Sequence, residues 1–250
     1  MLRLLLGASI LLSIFGLLVY TVRLNPGAQA SPKELIVVTK TRGHEEVKAT
    51  LVDDQLRVSL KNNHTDTITA FAINFGDTTI KEDFAYSDVH FGIEPGDTFE
   101  RSYAVSLPPL GSELRNLHLL TVLRKNGTRD GDPKVSREIK DERLGEKIQI
   151  LRMLRILEKE RLPRRDLKTI KSDVVAALDS GESETHITLS ELEPSSRSDK
   201  KLSDDLRNGL QVGREKILRK FEVLEQLPTE SREQGFTEFK ERANKLFAKL

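Results

Sequence analysis

The spacing of apolar and polar positions changes several times along this chain, and the changes divide it into segments. Leu4 to Tyr20 carries no charge and is flanked by Arg3 and Arg23. Short apolar runs then follow one another: Leu35 to Val38, Val47 to Leu51, Leu56 to Leu60, Ile68 to Phe75, Thr98 to Val105 and Leu117 to Leu123. Val58 and Leu60 alternate with Arg57, Ser59 and Lys61, and Phe71, Ile73 and Phe75 alternate with smaller residues. That is the period of strands buried on one face. Asp53 and Asp54 supply a tight turn between two runs, and about six or seven such strands separated by turn residues predict an antiparallel β-sandwich.

At Asp132 the period becomes helical. Asp132 can cap free backbone N–H groups and Pro133 suits the first helical position. A helix is predicted from there to about Arg161, with Ile139, Leu144, Ile148, Leu151, Leu154 and Leu157 on one side and Pro163 as its stop. Leu167, Ile170, Val174 and Leu178 form a second, shorter stripe, and residues 181–198, with few apolar positions, predict a flexible linker. Leu202, Leu206, Leu210, Gly213, Ile217, Phe221 and Leu224 form a third stripe. Phe236, Phe239, Ala243, Leu246 and Phe247 form a fourth beyond Pro228, where Ser231 and Gln234 have capping-box spacing.

The predicted fold is α+β. An N-terminal apolar helix (1–30) precedes an antiparallel Ig-like β-sandwich (31–132), a helical pair (133–180), a flexible linker (181–198) and a helical hairpin (199–250), giving a C-terminal helical region of about four helices. The change of period at Asp132 and Pro133 predicts that sandwich and helices are separable.

The strand ending in Lys61, Asn62 and Asn63, the strand from Ile68 to Phe75, and Ile93, Pro95, Gly96, Asp97 and Phe99 leading into another strand resemble the immunoglobulin-like sandwich domains of many bacterial exported proteins. The resemblance covers roughly the first half of the exported chain and is one of fold. It implies an extracytoplasmic interaction module without a shared set of catalytic residues. The paired Cys and core Trp of antibody-type domains are missing from this chain.

Composition narrows the functional classes. Of 250 residues, 32% are charged and 5% aromatic, with no Trp, so the core is aliphatic and thin. A net charge of +1 excludes a strongly basic nucleic-acid binder as the identity of the whole chain. The absence of Cys excludes disulfides, a thiolate nucleophile, Cys-based metal centres and a lipidated Cys anchor. Leu4 to Tyr20 lies at the lower limit of the ~17 to 25 residues that span a bilayer and above the ~7 to 15 of a signal-peptide core. Two readings stand: a membrane anchor over residues 4–22, or a signal peptide cleaved near Ala30, where Ala28, Gln29 and Ala30 form a small-x-small site. Both place the remainder of the chain on the periplasmic or extracellular face.

Asn126, Thr128, Asp130, Gly131 and Asp132 match the first half of a calcium loop, but its twelfth position is Arg137 where a bidentate Glu is required. The other reading of these residues is a hairpin turn followed by a helix cap. His44, His64, His90, His118 and His186 show no metal-ligand spacing, and no G-x-S-x-G elbow is present. Between Lys147 and Lys171 nine Lys or Arg face three acidic residues, whereas residues 31–133 carry 12 basic and 16 acidic side chains. The basic run therefore reads as a solvated face paired with the acidic sandwich. Alternatively it is an anionic-surface site built from Arg152, Arg155, Arg164, Arg165, Lys168 and Lys171.

The function expected from these features is a non-enzymatic interaction or structural protein of the cell envelope. It would contact the membrane through its N-terminal segment, engage a protein partner, bind no nucleic acid and require no cofactor. The alternatives are a peripheral anionic-surface binder and a hydrolase without a recognised motif.

Overall fold

The alternation of Gln55–Asn62 sends Leu56, Val58 and Leu60 to one side and Arg57, Ser59 and Lys61 to the other, and the chain there is a strand with one buried and one solvent-facing side. The computed structural model describes residues 40–42, 45–52, 55–75, 78–84, 92–104, 117–159, 165–193 and 202–249. Among them eight strands precede five helices. The strands are β1 (Lys40–Arg42), β2 (Glu45–Val52), β3 (Gln55–Asn62), β4 (Ile68–Phe75), β5 (Thr78–Asp83), β6 (Thr98–Ala104), β7 (Leu117–Arg124) and β8 (Arg129–Gly131). The helices are α1 (Pro133–Lys159), α2 (Leu167–Leu178), α3 (Glu182–Leu192), α4 (Asp204–Gln226) and α5 (Thr229–Lys249). The expected N-terminal helix, the strand Leu35 to Val38 and the Asp53–Asp54 turn lie outside the described residues.

The strands form two antiparallel sheets, ordered β1-β2-β3-β6 and β5-β4-β7-β8. Val47, Leu56, Val58 and Leu60 of the first meet Phe71, Ile73, Leu119 and Val122 of the second in one core, where Phe99 stands edge-on to Phe71 and Phe84 at 5.5 and 5.2 Å. Ion pairs tie the sheets together on both sides of this core. Fully buried Glu45 pairs with Arg124, which also reaches Asp130 at 2.7 Å. On the β5–β6 side Arg101 reaches Glu82 at 2.7 Å, and the Tyr103 hydroxyl donates to the same carboxylate at 2.7 Å. Burial and the Glu82 carboxylate push the Tyr103 phenol pKa up.

The residues that carry the resemblance form a pinned turn. The Asn62 amide donates to the carbonyls of Asp66 (2.9 Å) and Ile93 (2.8 Å) and accepts from the His64 N–H at 3.0 Å. Gly96, at φ 86°, completes the Glu94–Asp97 turn and donates its N–H to the Asn62 carbonyl at 2.8 Å.

Phe71, Ile73 and Phe75 face the other sheet as expected, but the small residues between them do not face solvent. Ala70 and Ala72 are fully buried against Leu123, Ile139 and Val135, because α1 lies across this outer face. A register shift in the β4–β7 ladder between Ala72 and Ile73 lets Leu119 and Val122 both point into the sandwich, leaving Leu123 on the helix side. Just before the helix, Gly131 lets β8 lie close against β7: at φ 110°, a Cβ there would stand 2.1 Å from the Leu120 carbonyl oxygen. Asp132 then caps α1, accepting from the Lys134 N–H at 2.7 Å. Arg143 clamps the helix to the sheet through Asp83 at 2.7 and 2.8 Å and the Thr69 carbonyl at 2.9 Å. Residues from 35 onward form one compact unit.

Two elements differ from the sequence reading. Where a linker is expected over 181–198, residues Glu182–Leu192 are helical. No side chain caps α3, and its apolar residues form no marked stripe, so local signals are weak. It is held instead by Leu189 packing with Ile148, Leu202 and Leu206, and by the Thr185 hydroxyl, which accepts from Arg152 at 2.8 Å. Among the described residues the C-terminal region therefore has five helices, where about four are expected. At α5 the expected capping box does not form: the helix begins at Thr229, and the Ser231 N–H donates to the Pro228 carbonyl at 2.9 Å. Arg232 closes the preceding helix by donating to the carbonyls of Leu227 and Glu225, both at 3.0 Å.

Candidate ligand-binding groove

Helix α1 is apolar on more than one side because it is the central helix of the second half. Ile150, Met153, Leu154 and Leu157 pack among α2, α4 and α5 around Phe221 and Ile170. A single stripe was the expectation, yet Gly145, Glu146, Gln149 and Arg152 are buried as well. Three glycines let α1 and α4 cross closely. A Cβ on Gly209 would stand 2.0 Å from the Glu142 carbonyl oxygen, one on Gly145 2.3 Å from that of Leu206, and one on Gly213 3.0 Å from the Cα of Glu146. Contacts advance together along both helices, from Ser203 with Asp141 at 2.8 Å, through Asn208 with Glu142 at 3.3 Å, to Lys216 with Glu146 at 2.8 Å, so α1 and α4 run in the same direction.

Further along, α5 supplies a third wall, and between α1, α4 and α5 lies a groove of about 440 Å³. Its floor includes Ile150, Met153, Ile217, Leu224, Phe239 and Ala243. Phe239 is fixed edge-on to buried Phe221, with ring centroids 5.4 Å apart. Lys216 and Lys220 of α4 and Glu238 and Arg242 of α5 stand along the groove, and Val223 at its lip is 56% exposed. Volume and lining fall in the range of small-ligand sites.

Glu146 lines one end of the groove, 6% exposed, and accepts from the Lys216 ammonium at 2.8 Å. Burial raises its pKa to about 7, against the lowering pull of Lys216, with Asp83 and Glu142 adding to the rise. A carboxyl group that changes charge near neutrality inside an apolar groove is a mark of functional sites. The sequence carries one trace of it: Glu146, Gln149 and Arg152 recur every three residues inside the apolar part of a helix.

Four side chains of the basic run have partners within the helices. Arg152 is 5% exposed and donates to Thr185, and burial lowers its pKa. Arg155 pairs with Glu191, Arg165 with Asp173 at 2.8 Å and Lys171 with Glu225 at 2.8 Å. These acidic partners belong to the helices, not to the sandwich. Lys168 is exposed, and Arg164 lies outside the described residues.

The calcium-like residues take separate structural roles. Asn126 accepts from Thr128 N–H at 2.8 Å and its hydroxyl at 2.7 Å, in a turn with Gly127 at φ 83°. Asp130 pairs with Arg124, and Asp132 caps α1. His64 supports the Asn62 turn by accepting from the Asp66 N–H at 3.1 Å, while His118 is exposed on β7 and His186 lies on α3; His44 and His90 are outside the described residues. Among the described residues no group of three or more His, Asp or Glu could hold a metal ion, and no helix is long and apolar enough to cross a membrane.

Comparison of the chain with protein-family models, curated proteins and solved structures gives no match.

Proposed function

We propose that this protein is a non-enzymatic binding protein of the cell envelope, exported or membrane-tethered through Leu4 to Tyr20, that holds an apolar ligand between α1, α4 and α5. The observation that carries the reading is the groove of about 440 Å³ with an aliphatic and aromatic floor. The strand order β2-β3-β6 opposite β5-β4-β7-β8 supports an immunoglobulin-like sandwich, which serves as the platform on which α1 is clamped. Export is supported by the uncharged N-terminal run and its Arg flanks.

Two measurements test this. The neutral probe N-phenyl-1-naphthylamine should fluoresce on binding to the protein, and Ala243→Trp, which fills the groove floor, should abolish the signal. Unchanged probe binding by that variant would place the ligand elsewhere. For location, charged residues at Leu12 and Phe15 each cost ~2.5 to 3.5 kcal/mol in a membrane helix and should retain the chain in the cytoplasm. Undiminished export of that variant would remove the assignment of the N-terminal segment.

A further inference from the structure

We infer that the groove takes a single unbranched long-chain alcohol, its hydroxyl bonded to Glu146 at one end and its chain lying along α4 toward Leu227. The inference rests on the groove being a ligand site, as proposed above, and adds the chemistry and direction of the occupant.

Shape argues for one chain. The groove is lined along α4 from Gly213 to Leu227 and along α5 from Leu246 back to Gly235. At ~1.5 Å per residue the α4 wall is ~21 Å long, so a volume of about 440 Å³ gives a mean section of roughly 20 Å². A hydrocarbon chain fits such a section, whereas an α-helix, ~10 Å across with its side chains, does not. Ile150 and Met153 of α1, Ile217 and Leu224 of α4, and Phe239 and Ala243 of α5 give that chain apolar contact from three helices.

Hydrogen bonding argues for a hydroxyl. Glu146 is buried at the end of the groove beside Gly213 and accepts from Lys216 through Oε2. Among the described residues its Oε1 has no hydrogen-bond partner, and an unmet acceptor in an apolar groove is satisfied by an occupant that donates to it. With its pKa raised to about 7 by burial, Glu146 is present in both protonation states at neutral pH. A hydroxyl donates to the carboxylate and accepts from the carboxyl, so it bonds to either. A carboxylate head would be repelled by ionised Glu146, and an ammonium head by Lys216, which already pairs with that glutamate.

The test uses residues 35–250, which form a compact unit by themselves, loaded with N-phenyl-1-naphthylamine. The competitors are hexadecanol, its methyl ether, palmitate and hexadecylamine. Hexadecanol should displace the probe at about one tenth of the concentration that the ether requires, the worth of one hydrogen bond to a charged group. It should also bind more tightly than palmitate or the amine. Glu146→Leu should erase the difference between alcohol and ether, while Glu146→Gln, whose amide still donates and accepts, should keep most of it. In the wild type the Glu146 carboxyl stretching band, identified by its loss in Glu146→Gln, should shift when hexadecanol binds, a readout that holds even where Glu146→Leu does not fold. An ether as effective as the alcohol, tighter binding of palmitate or hexadecylamine, a difference that survives Glu146→Leu, or an unmoved carboxyl band overturns the inference. If the probe binds and only an amphipathic peptide displaces it, the groove stands and the alcohol falls. If the probe does not bind, or Ala243→Trp leaves its binding intact, the groove itself falls and the inference with it.

Discussion

Glu45 and Arg124 show how costly a single side chain can be in so thin a core. Both are buried, and the Glu45 Oε2 and Arg124 Nε find no hydrogen-bond partner among the described residues. Removing one member leaves an uncompensated buried charge, so Arg124→Met should cost about 3 to 5 kcal/mol in urea unfolding. Because the pair is only partly satisfied, Glu45→Leu with Arg124→Met should recover most of that loss; Asp130, with its side chain 53% exposed, stays solvated without Arg124. Glu146 is a different case. Its folded pKa is raised from 4.5 to about 7, so the folded state holds the proton more tightly than the unfolded chain. Its contribution is therefore most favourable below about pH 4.5 and is lost as pH rises toward 7, by on the order of 3 kcal/mol. Glu146→Gln cannot ionise and should stabilise the protein more at pH 8 than at pH 5 in paired urea melts. An equal effect at both pH values would show that Glu146 titrates normally.

At the scale of elements, the α1–α4 crossing decides whether the groove exists. Gly209→Ala gains up to ~1 kcal/mol of helix propensity, but the added Cβ would meet backbone atoms of Glu142 at 2.0 and 2.8 Å, which no rotamer change can relieve. Overpacking of this kind costs ~1 to 3 kcal/mol, so the variant should be less stable and should bind the apolar probe more weakly. Gly181 is the control. Nothing lies within 4 Å of a Cβ placed there, and it precedes α3 at φ −66° without a side-chain cap. Gly181→Asp should therefore raise the melting temperature slightly, by the few tenths of a kcal/mol that a capping oxygen adds over Gly. A loss of stability there would show that α3 is not held as described.

At the scale of the whole molecule, α1 belongs to both halves. Its first turns cover Ala70, Ala72 and Leu123 and are clamped by Arg143, while its later turns carry the core around Phe221. Loss of the helical half would expose the outer face of β4 and β7, and loss of the sandwich would free the first third of α1. Residues 35–250 should accordingly unfold in one transition, with far-UV circular dichroism and tyrosine fluorescence coincident in urea. Residues 31–133 alone should be prone to association through the uncovered strip. Two resolved transitions, or a cooperative monomeric fragment, would show that the change of period at Asp132 is also a boundary of stability.

Local pattern determined much of this protein. The strands from Gln55 to Phe75, the cap at Asp132 and the stripes of α2, α4 and α5 follow from alternation, helical spacing and turn chemistry, because those signals act between residues a few positions apart. Tertiary contact decided the rest. Helix α3 forms where its own sequence is indifferent because Leu189 and Thr185 find partners distant in the chain. Ala70 and Ala72 read as the solvent side of a strand until α1 covers them, since a small residue is equally consistent with water and with a close helix. The basic run reads as a surface until Glu191, Asp173 and Glu225 are brought to it. The groove was not legible because its walls come from three helices, and Glu146 acquires its raised pKa only when packing removes water from a carboxylate that is unexceptional in the unfolded chain.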